Sequence, residues 1–455
     1  MKQTVKNNII FERNDANNYS VNIYENDNLL GCISTNMYNI LSLINSKEVS
    51  EAIKLLMDYL KLDYETSKTL YNKLLYAFDY ILHQGDSTHE PLFYSGFSEK
   101  INPNRIRSLV PKFLVLSISR ECFMKCRYCY AGAKYVNDND RNSNNDLRID
   151  IIKKICEEAK SIGISKIDLT GGDPYIRSDI CEIFDLFDRY DILTSLSTKK
   201  NLDDTQIEDL KRYKCIEYVQ ISVDTLDDNI QELLICEKSY ASKRVALVKK
   251  LLKNNIKVKV NSVLTKHNVD TIFELIGELN QIGVDTIALS PYSNNLYRHN
   301  DDLLPSYEQY YNLSKKISKH SLNIELNYPI FLNKFDETGL YGSMSRTTCG
   351  AGLDGLVVGP TGDAFICERL CYDTNYSLGN CKKNTLMDIW MNTVIDEYIK
   401  PNNDRFVNTK CYNCDDFNFC VNERGICYVH SLILNGTIYS PDMMCKLNKG
   451  EVRIF

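Results

Sequence analysis

The sequence predicts an α/β protein: a partial (β/α)6 barrel of the TIM-like kind, preceded by a small winged-helix-like α+β unit and followed by a Cys-rich domain. Three observations carry this expectation. Between residues 113 and 290, β-branched apolar runs alternate six times with amphipathic stretches, the pattern of a parallel sheet flanked by helices. Ahead of them, segments of period two give way to segments of helical period. Behind them, cysteines gather in tight pairs with distant partners, the spacing of a metal-binding fold.

A chain of 455 residues exceeds one ordinary domain. An apolar content of 44% with 25% charged residues describes a globular chain, and a net charge of −6 gives no basis for a nucleic-acid surface. The first residues, MKQTVKNNIIFERND, contain no apolar leader core, and no long apolar run follows. The expected location is the cytoplasm, with no membrane partner. Seventeen Cys in such a chain point to metal or redox chemistry rather than disulfides. Cys32, Cys156, Cys181, Cys215 and Cys236 stand singly within apolar-periodic segments and read as small buried hydrophobes.

In chain order, NIIFER, YSVNIYE and LLGCIST alternate as strands, with Asn26-Asp27-Asn28 as a turn. Met37 to Ile44, Val49 to Tyr59 and Thr66 to Leu82 have helical spacing, with Ser46 and Asp63 as N-terminal caps. Three strands and three helices are the content of a small winged-helix domain. Residues 1–95 carry eight Lys and Arg against twelve Asp and Glu, a net of −4, whereas a DNA reader needs a cationic face. A peptide that adds a strand to the sheet edge fits that charge better; the plainer reading is a stabilising cap on the barrel. Residues 84–110, with Gly85, Pro91, Gly96 and Pro103, read as a connection. The expected units are 1–90, a linker 91–110, a barrel 111–305, a bridging region 306–348 and a Cys-rich domain 349–455.

The barrel strands read FLVLSI, KIDL, LTSLS, YVQISV, KVKVNSV and TIAL, and their β-branched character predicts a sheet buried on both faces. Chemistry in such sheets collects at the C-terminal strand ends. There the first strand runs into Cys122, Cys126 and Cys129, a C-x3-C-x2-C triplet with Tyr128 just before its last Cys. Three thiolates leave a four-coordinate iron or zinc centre one ligand short. The second strand ends in Gly171-Gly172-Asp173, where the glycines let the backbone approach a ligand. The third ends at Ser197 and Thr198, the fourth at Ser222 and Asp224 on one face of the strand, and the next helix carries Arg244, which reads equally as a solvated charge. Asn261, Ser262 and Ser290-Pro291-Tyr292 close the fifth and sixth. The polar stretch 137–150 reads as a mobile excursion from the same rim.

The triplet and its strand-end company resemble the radical SAM superfamily. The resemblance implies that Cys122, Cys126 and Cys129 hold a 4Fe-4S cluster whose fourth iron chelates S-adenosylmethionine (SAM). It implies further that Tyr128, Gly171, Gly172, Asp173, Ser197, Thr198, Ser222, Asp224 and Arg244 line the SAM site, with Arg244 on the carboxylate. Asp173 replaces the more usual Glu, and Lys199-Lys200 departs from the small residues usual after the third strand. A zinc knob is the alternative for the triplet alone.

Cys349 and Cys367 bracket an apolar hairpin with the turn Pro360-Thr361-Gly362-Asp363; Cys411, Cys414, Cys420, Cys427 and Cys445 follow. This order resembles the seven-cysteine SPASM extension of radical SAM enzymes, which houses two auxiliary 4Fe-4S clusters, and Leu378-Gly379-Asn380 and LMDIW between its halves fit it. Six residues, not three, separate Cys420 from Cys427. The resemblance implies an outer cluster on Cys411, Cys414, Cys420 and Cys445 and an inner one on Cys349, Cys367 and Cys427. Cys371 is one possible fourth ligand, Cys381 reads as core, and a substrate Cys is the other option.

Taken together, the resemblance implies a SAM-dependent peptide maturase that forms thioether crosslinks through a 5'-deoxyadenosyl radical. Its cofactors are SAM and three 4Fe-4S clusters. Its partners are a precursor peptide with a leader segment and a low-potential donor of flavodoxin or ferredoxin type. Carbon-carbon crosslinking, maturation of a sulfatase or quinohaemoprotein, and a zinc-binding regulator are the alternatives.

Overall fold

The computed structural model describes residues 3–6, 9–13, 20–25, 28–45, 47–60, 62–79, 81–84, 92–95, 107, 110–137, 141, 146–319, 324–327, 349–442 and 445. Asn26, Asp27, Ser46, Gly85, Pro91, Gly96 and Pro103, and most of the excursion expected before Asp146, lie outside them. Among the described residues no helix is long and apolar enough to cross a membrane.

The N-terminal unit has strands β1 (Gln3–Val5), β2 (Ile9–Arg13), β3 (Ser20–Glu25) and β4 (Asn28–Ser34), then helices α1 (Thr35–Ile44), α2 (Val49–Leu60) and α3 (Tyr64–Ala77). Alternation places Ile9, Phe11, Val21 and Ile23 on one face, where they meet Met37, Ile40, Leu56 and Leu70 of the helices. Asp63 caps α3 by accepting the Thr66 N–H at 2.9 Å. The third helix is shorter than its periodicity suggests. Ile81 is buried beyond it, and Leu82–Gln84 turns into a strand, β5, antiparallel to β1. A further strand, β6 (Leu92–Ser95), falls within the expected linker and pairs in parallel with β2.

The central sheet supplies the six expected parallel strands: β7 (Phe113–Ser117), then, after a two-residue bridge between β8 (Glu121–Cys122) and β9 (Lys134–Tyr135), β10 (Ile167–Thr170), β11 (Thr194–Thr198), β12 (Ile216–Ser222), β13 (Val258–Leu264) and β14 (Thr286–Pro291). Helices α4 (Ile149–Ser161), α5 (Ile180–Arg189), α6 (Asp204–Arg212), α7 (Asp228–Ile235), α8 (Tyr240–Lys253), α9 (Ile272–Gln281) and α10 (Tyr307–Lys319) return the chain between strands. One connection, expected as a single helix, is two: Cys236 and Ser239 adopt positive φ and break α7 from α8.

Register aligns Leu116, Leu169, Leu196, Val219 and Val258 across five strands, and each is 3% exposed or less beneath the helices. The opposite face differs from the expectation of burial on both sides. Asp168, Thr170, Ser195, Ser197, Gln220, Asn261 and Ser290 occupy the alternate positions and are only half-buried. Ser195 Oγ donates to Asp168 at 2.7 Å, Gln220 to Ser197 at 3.2 Å and Ser290 to Asn261 at 2.9 Å. The strands thus have an apolar outer row that packs on helices and a polar inner row that lines the concave side. That side is wet and can receive a polar ligand.

The sheet extends past both ends of the expected barrel. β15 (Glu325–Asn327) joins β14 in parallel. At the other edge β16 (Gly355–Val358) pairs in parallel with β7, and β17 (Asp363–Phe365) and β18 (Gly379–Asn380) continue antiparallel. The expected Cys-bracketed hairpin is therefore part of the main sheet, with Gly362 at φ +89° in its turn.

Leu116 sits unexposed in the outer row between Leu169 and Val358. Leu116→Ala should lower unfolding stability by about 2–5 kcal/mol, read as a shifted urea midpoint with unchanged slope.

Candidate functional site

The site is built where β7 ends. Cys122 and Cys126 are buried and Cys129 half-buried. Cys122 and Cys126 lie within electrostatic reach of each other and of Cys129. Burial pushes the Cys126 thiol up to about 12, opposed chiefly by the Lys199 ammonium. Burial also raises Cys122, with the Asp173 carboxylate adding to the shift.

The loop is held from several sides. Gly172 donates to Ser119 O at 2.8 Å, and a Cβ on Gly172 would stand 1.6 Å from Glu121 O. A Cβ on Gly171, at φ +123°, would meet Ser119 O at 2.4 Å. The glycines therefore let β10 press on the backbone that enters the Cys loop, a closer constraint than the ligand contact read from the sequence. Tyr128 is buried and donates to Asp224 at 2.6 Å. From the loop after β14, Arg298 donates to Cys126 O at 2.7 Å and Ala133 O at 3.3 Å, and Asn295 donates to Cys129 O at 3.3 Å. Sequence reasoning missed these two residues; the polar run SNNLYRHN at a strand end was their signal.

Most residues expected to face a ligand are engaged with the protein itself. Asp173 accepts from Tyr175 N–H at 3.0 Å, the Thr198 hydroxyl at 2.9 Å and Lys199 N–H at 2.6 Å. Asp224 accepts from Gln231 at 2.8 Å and Val263 N–H at 2.8 Å besides Tyr128. Burial raises Asp173 in spite of these donors. Arg244 is 1% exposed, stacks on Tyr240 at 4.9 Å and donates to Lys200 O, so it is not the solvated charge its position on a helix allowed. Its buried Nε has no hydrogen-bond partner among the described residues. Ser197 faces the polar interior, and Ser222 is buried at the end of β12.

The C-terminal cysteines fall into two sets. Cys367 lies within electrostatic reach of Cys349 and Cys427, and Cys411 within reach of Cys414, Cys420 and Cys445. These are the inner and outer sets expected from the sequence order. Cys371, at the end of the short helical turn that follows Cys367, stands beside Tyr372, Glu368, Ser117 and Arg120, and Cys381 packs near Glu158 and Lys154.

Residues one step from these thiols tie the domain to the barrel. Tyr130, after Cys129, donates to Glu368 at 3.1 Å and shares a 2.9 Å hydrogen bond with Thr170; Glu368 follows Cys367. Arg369 donates to Ser293 Oγ at 3.0 Å and Asn294 O at 2.7 Å. Tyr372 shares a hydrogen bond with Ser117 at 2.9 Å.

The donor chemistry fits iron-sulfur clusters. In each of three separate groups, soft thiols lie within electrostatic reach of one another, and cluster irons take Cys thiolates. Ligands of a lone zinc crowd to about 2.3 Å of one ion, while cluster thiolates bind different irons and stand further apart. Among the described residues no three His, Cys, Asp or Glu side chains are grouped for a single metal ion. The orphaned Arg244 Nε and the polar inner face suit a zwitterionic ligand beside the first group.

Residues 116–279 match the radical SAM superfamily, and residues 349–415 match SPASM, an iron-sulfur cluster-binding domain. The chain is a radical SAM enzyme. The chain is 26% identical over 311 residues to GTP 3',8-cyclase of Clostridium perfringens, covering 65% of this chain and 92% of that one. Streptococcus suis SuiB bound to S-adenosylmethionine superposes with a TM-score of 0.60 at 19% identity, covering 97% of this chain and 100% of that chain. SuiB bound to its precursor peptide SuiA gives 0.59 at 20% identity, covering 97% and 98%. The anSMEcpe structure with bound AdoMet gives 0.51 at 18%, covering 70% and 89%. SAM and iron-sulfur clusters are the cofactors of this radical SAM enzyme.

Gly172→Ala should displace the Cys loop. After anaerobic reconstitution the variant should bind less iron than the parent and lose a share of the iron-sulfur absorbance, while far-UV circular dichroism is unchanged.

Proposed function

We propose that this radical SAM enzyme modifies a ribosomally made precursor peptide by forming a thioether between a Cys sulfur and a carbon. The observation that carries the reading is the inner thiol set. Cys367 lies within electrostatic reach of Cys349 and Cys427, while Cys371 packs with Val357, Phe365 and Tyr372 and Cys381 lies near Glu158 and Lys154. Three protein thiols leave one iron of a four-iron cluster for an outside ligand, and a peptide Cys has the matching chemistry. The reading is supported by the superposition on SuiB, whose structure with a precursor peptide covers 97% of this chain, N-terminal unit included. The acidic balance of residues 1–95 also suits a peptide leader better than a nucleic acid.

In this reading Cys122, Cys126 and Cys129 hold the SAM-binding cluster. Cys349, Cys367 and Cys427 hold the inner auxiliary cluster, and Cys411, Cys414, Cys420 and Cys445 the outer one, giving three 4Fe-4S clusters. When bound, the first cluster and SAM supply a carbon radical that takes a hydrogen atom from the peptide. The chain's own residues set the scene for it. Tyr128, Gly171, Gly172, Asp173, Thr198, Asp224 and Arg244 build the rigid wall of the SAM site, and Ser197 and Ser222 offer hydroxyls from the strand ends. Tyr130, Glu368 and Arg369 tie the C-terminal domain to the strand ends of the barrel. Closing a carbon-sulfur bond removes two hydrogens from the peptide: one as the hydrogen atom taken by the SAM-derived radical, the other as the thiol proton, and the electron left over would pass to the inner auxiliary cluster that Cys349, Cys367 and Cys427 would hold. The N-terminal unit binds the leader, a flavodoxin- or ferredoxin-type donor supplies electrons, and the enzyme works in the cytoplasm without membrane or nucleic-acid partners.

Anaerobically purified protein should carry about twelve irons per chain; zinc in their place would favour a regulator. Co-expressed with a Cys-rich precursor, the enzyme should lower the peptide's mass by two hydrogens per crosslink and protect the joined Cys from alkylation. An unmodified precursor, or a mass loss with every Cys still alkylated, overturns the thioether. Cys122→Ala should abolish the modification.

A further inference from the structure

Four charged groups act on the two buried thiols of this loop: the Asp173 carboxylate on Cys122, and the Asp224 carboxylate with the Lys199 and Arg298 cations on Cys126. Three of the four are spent on hydrogen bonds. Asp173 and Asp224 each accept three donor groups, and Arg298 holds two loop carbonyls. Lys199 is different. Its backbone N–H is fixed on Asp173 at 2.6 Å, which aims the half-buried side chain inward from the end of β11. Its ammonium stands 5.4 Å from the Tyr128 ring centroid and 3.4 Å from the Tyr128 hydroxyl. An ammonium has three donors, and one long hydrogen bond uses little of them. Tyr128 lies between Cys126 and Cys129, so the ring that seats the ammonium also fixes it against the Cys loop. This is the position where Lys departs from the small residues usual in the superfamily.

We propose that Lys199 is a charge-setting residue whose ammonium faces the cluster on Cys122, Cys126 and Cys129 and makes its one-electron reduction easier. The inference rests on the reading of that loop as the SAM-binding cluster. Reduction adds one negative charge to the cluster and breaks no bond; an external low-potential donor supplies the electron. In a buried site of low effective dielectric, a nearby cation stabilises the reduced state more than the oxidised one. Asp173 and Asp224 act in the opposite sense, and Lys199 offsets them.

The test is a dye-mediated redox titration of the reconstituted full chain, followed by electron paramagnetic resonance. The signal that changes on adding SAM identifies the cluster. Lys199→Met should shift its midpoint to more negative potential, with iron and sulfide content equal to the parent, and Lys199→Arg should restore it. Lys199→Gln, which keeps polarity and loses charge, should shift it in the same direction and replaces Lys199→Met if that variant loads poorly. A midpoint unchanged in the neutral variants overturns the proposal, as does weakened SAM binding without a midpoint shift, which makes Lys199 a plain SAM contact. A parent protein with no SAM-sensitive signal overturns the reading of the loop itself, and this inference with it.

Discussion

Two buried carboxylates, Asp173 and Asp224, are the constraint on which the active end of the barrel depends. A carboxylate removed from water must be repaid by donors, and each recruits them from elements far apart in sequence. Asp173 joins the end of β10 to the end of β11 through Thr198 and Lys199. Asp224 joins the Cys loop, α7 and β13 through Tyr128, Gln231 and Val263. The loop that carries Cys122, Cys126 and Cys129 is therefore positioned by charge satisfaction at four strand ends. Such a frame favours preorganisation, because shifting any one strand end leaves a buried charge short of a partner.

The sequence made these residues visible but not the protein groups that hold them. The Cys sets were legible because ligand spacing is local and chain order follows a shared pattern: Cys411, Cys414 and Cys420 lie within ten residues, and their neighbourhood survives folding. The outer face of the barrel was legible for a similar reason, since Leu116, Leu169 and Leu196 declare a strand by composition. The inner face was not. The alternate Ser, Asn and Gln positions reveal their role only once the register places Gln220 beside Ser197. Gly172 likewise signals close approach in the sequence, but only tertiary structure says that the approaching group is Glu121 O. Arg244 and Arg298 exchange prominence on the same ground: long side chains choose partners in space.

The N-terminal boundary shows the limit of reading elements one at a time. Residues 92–95 carry strand-compatible residues, but a lone segment between Pro91 and Gly96 has the flanks of a linker. It becomes a strand because β2 presents an open edge that pairs with it. Alternation made the three antiparallel neighbours readable; a parallel partner more than seventy residues away left no local mark.

Edge pairing also explains how the cluster-bearing domain is joined to the barrel. An open parallel sheet leaves β7 with an unpaired edge, next to the loop that holds Cys122. β16 covers that edge in register, Leu356 beside Leu114 and Val358 beside Leu116, and β17 and β18 carry the ladder outward. Cys367 follows directly on this ladder, and Glu368 and Arg369 then reach back to Tyr130, Ser293 and Asn294. The distance between the first and the inner thiol sets is thus set by backbone pairing in one sheet. A domain attached by a flexible linker would leave that spacing to fluctuate. A domain that shares β7's hydrogen bonds holds it fixed.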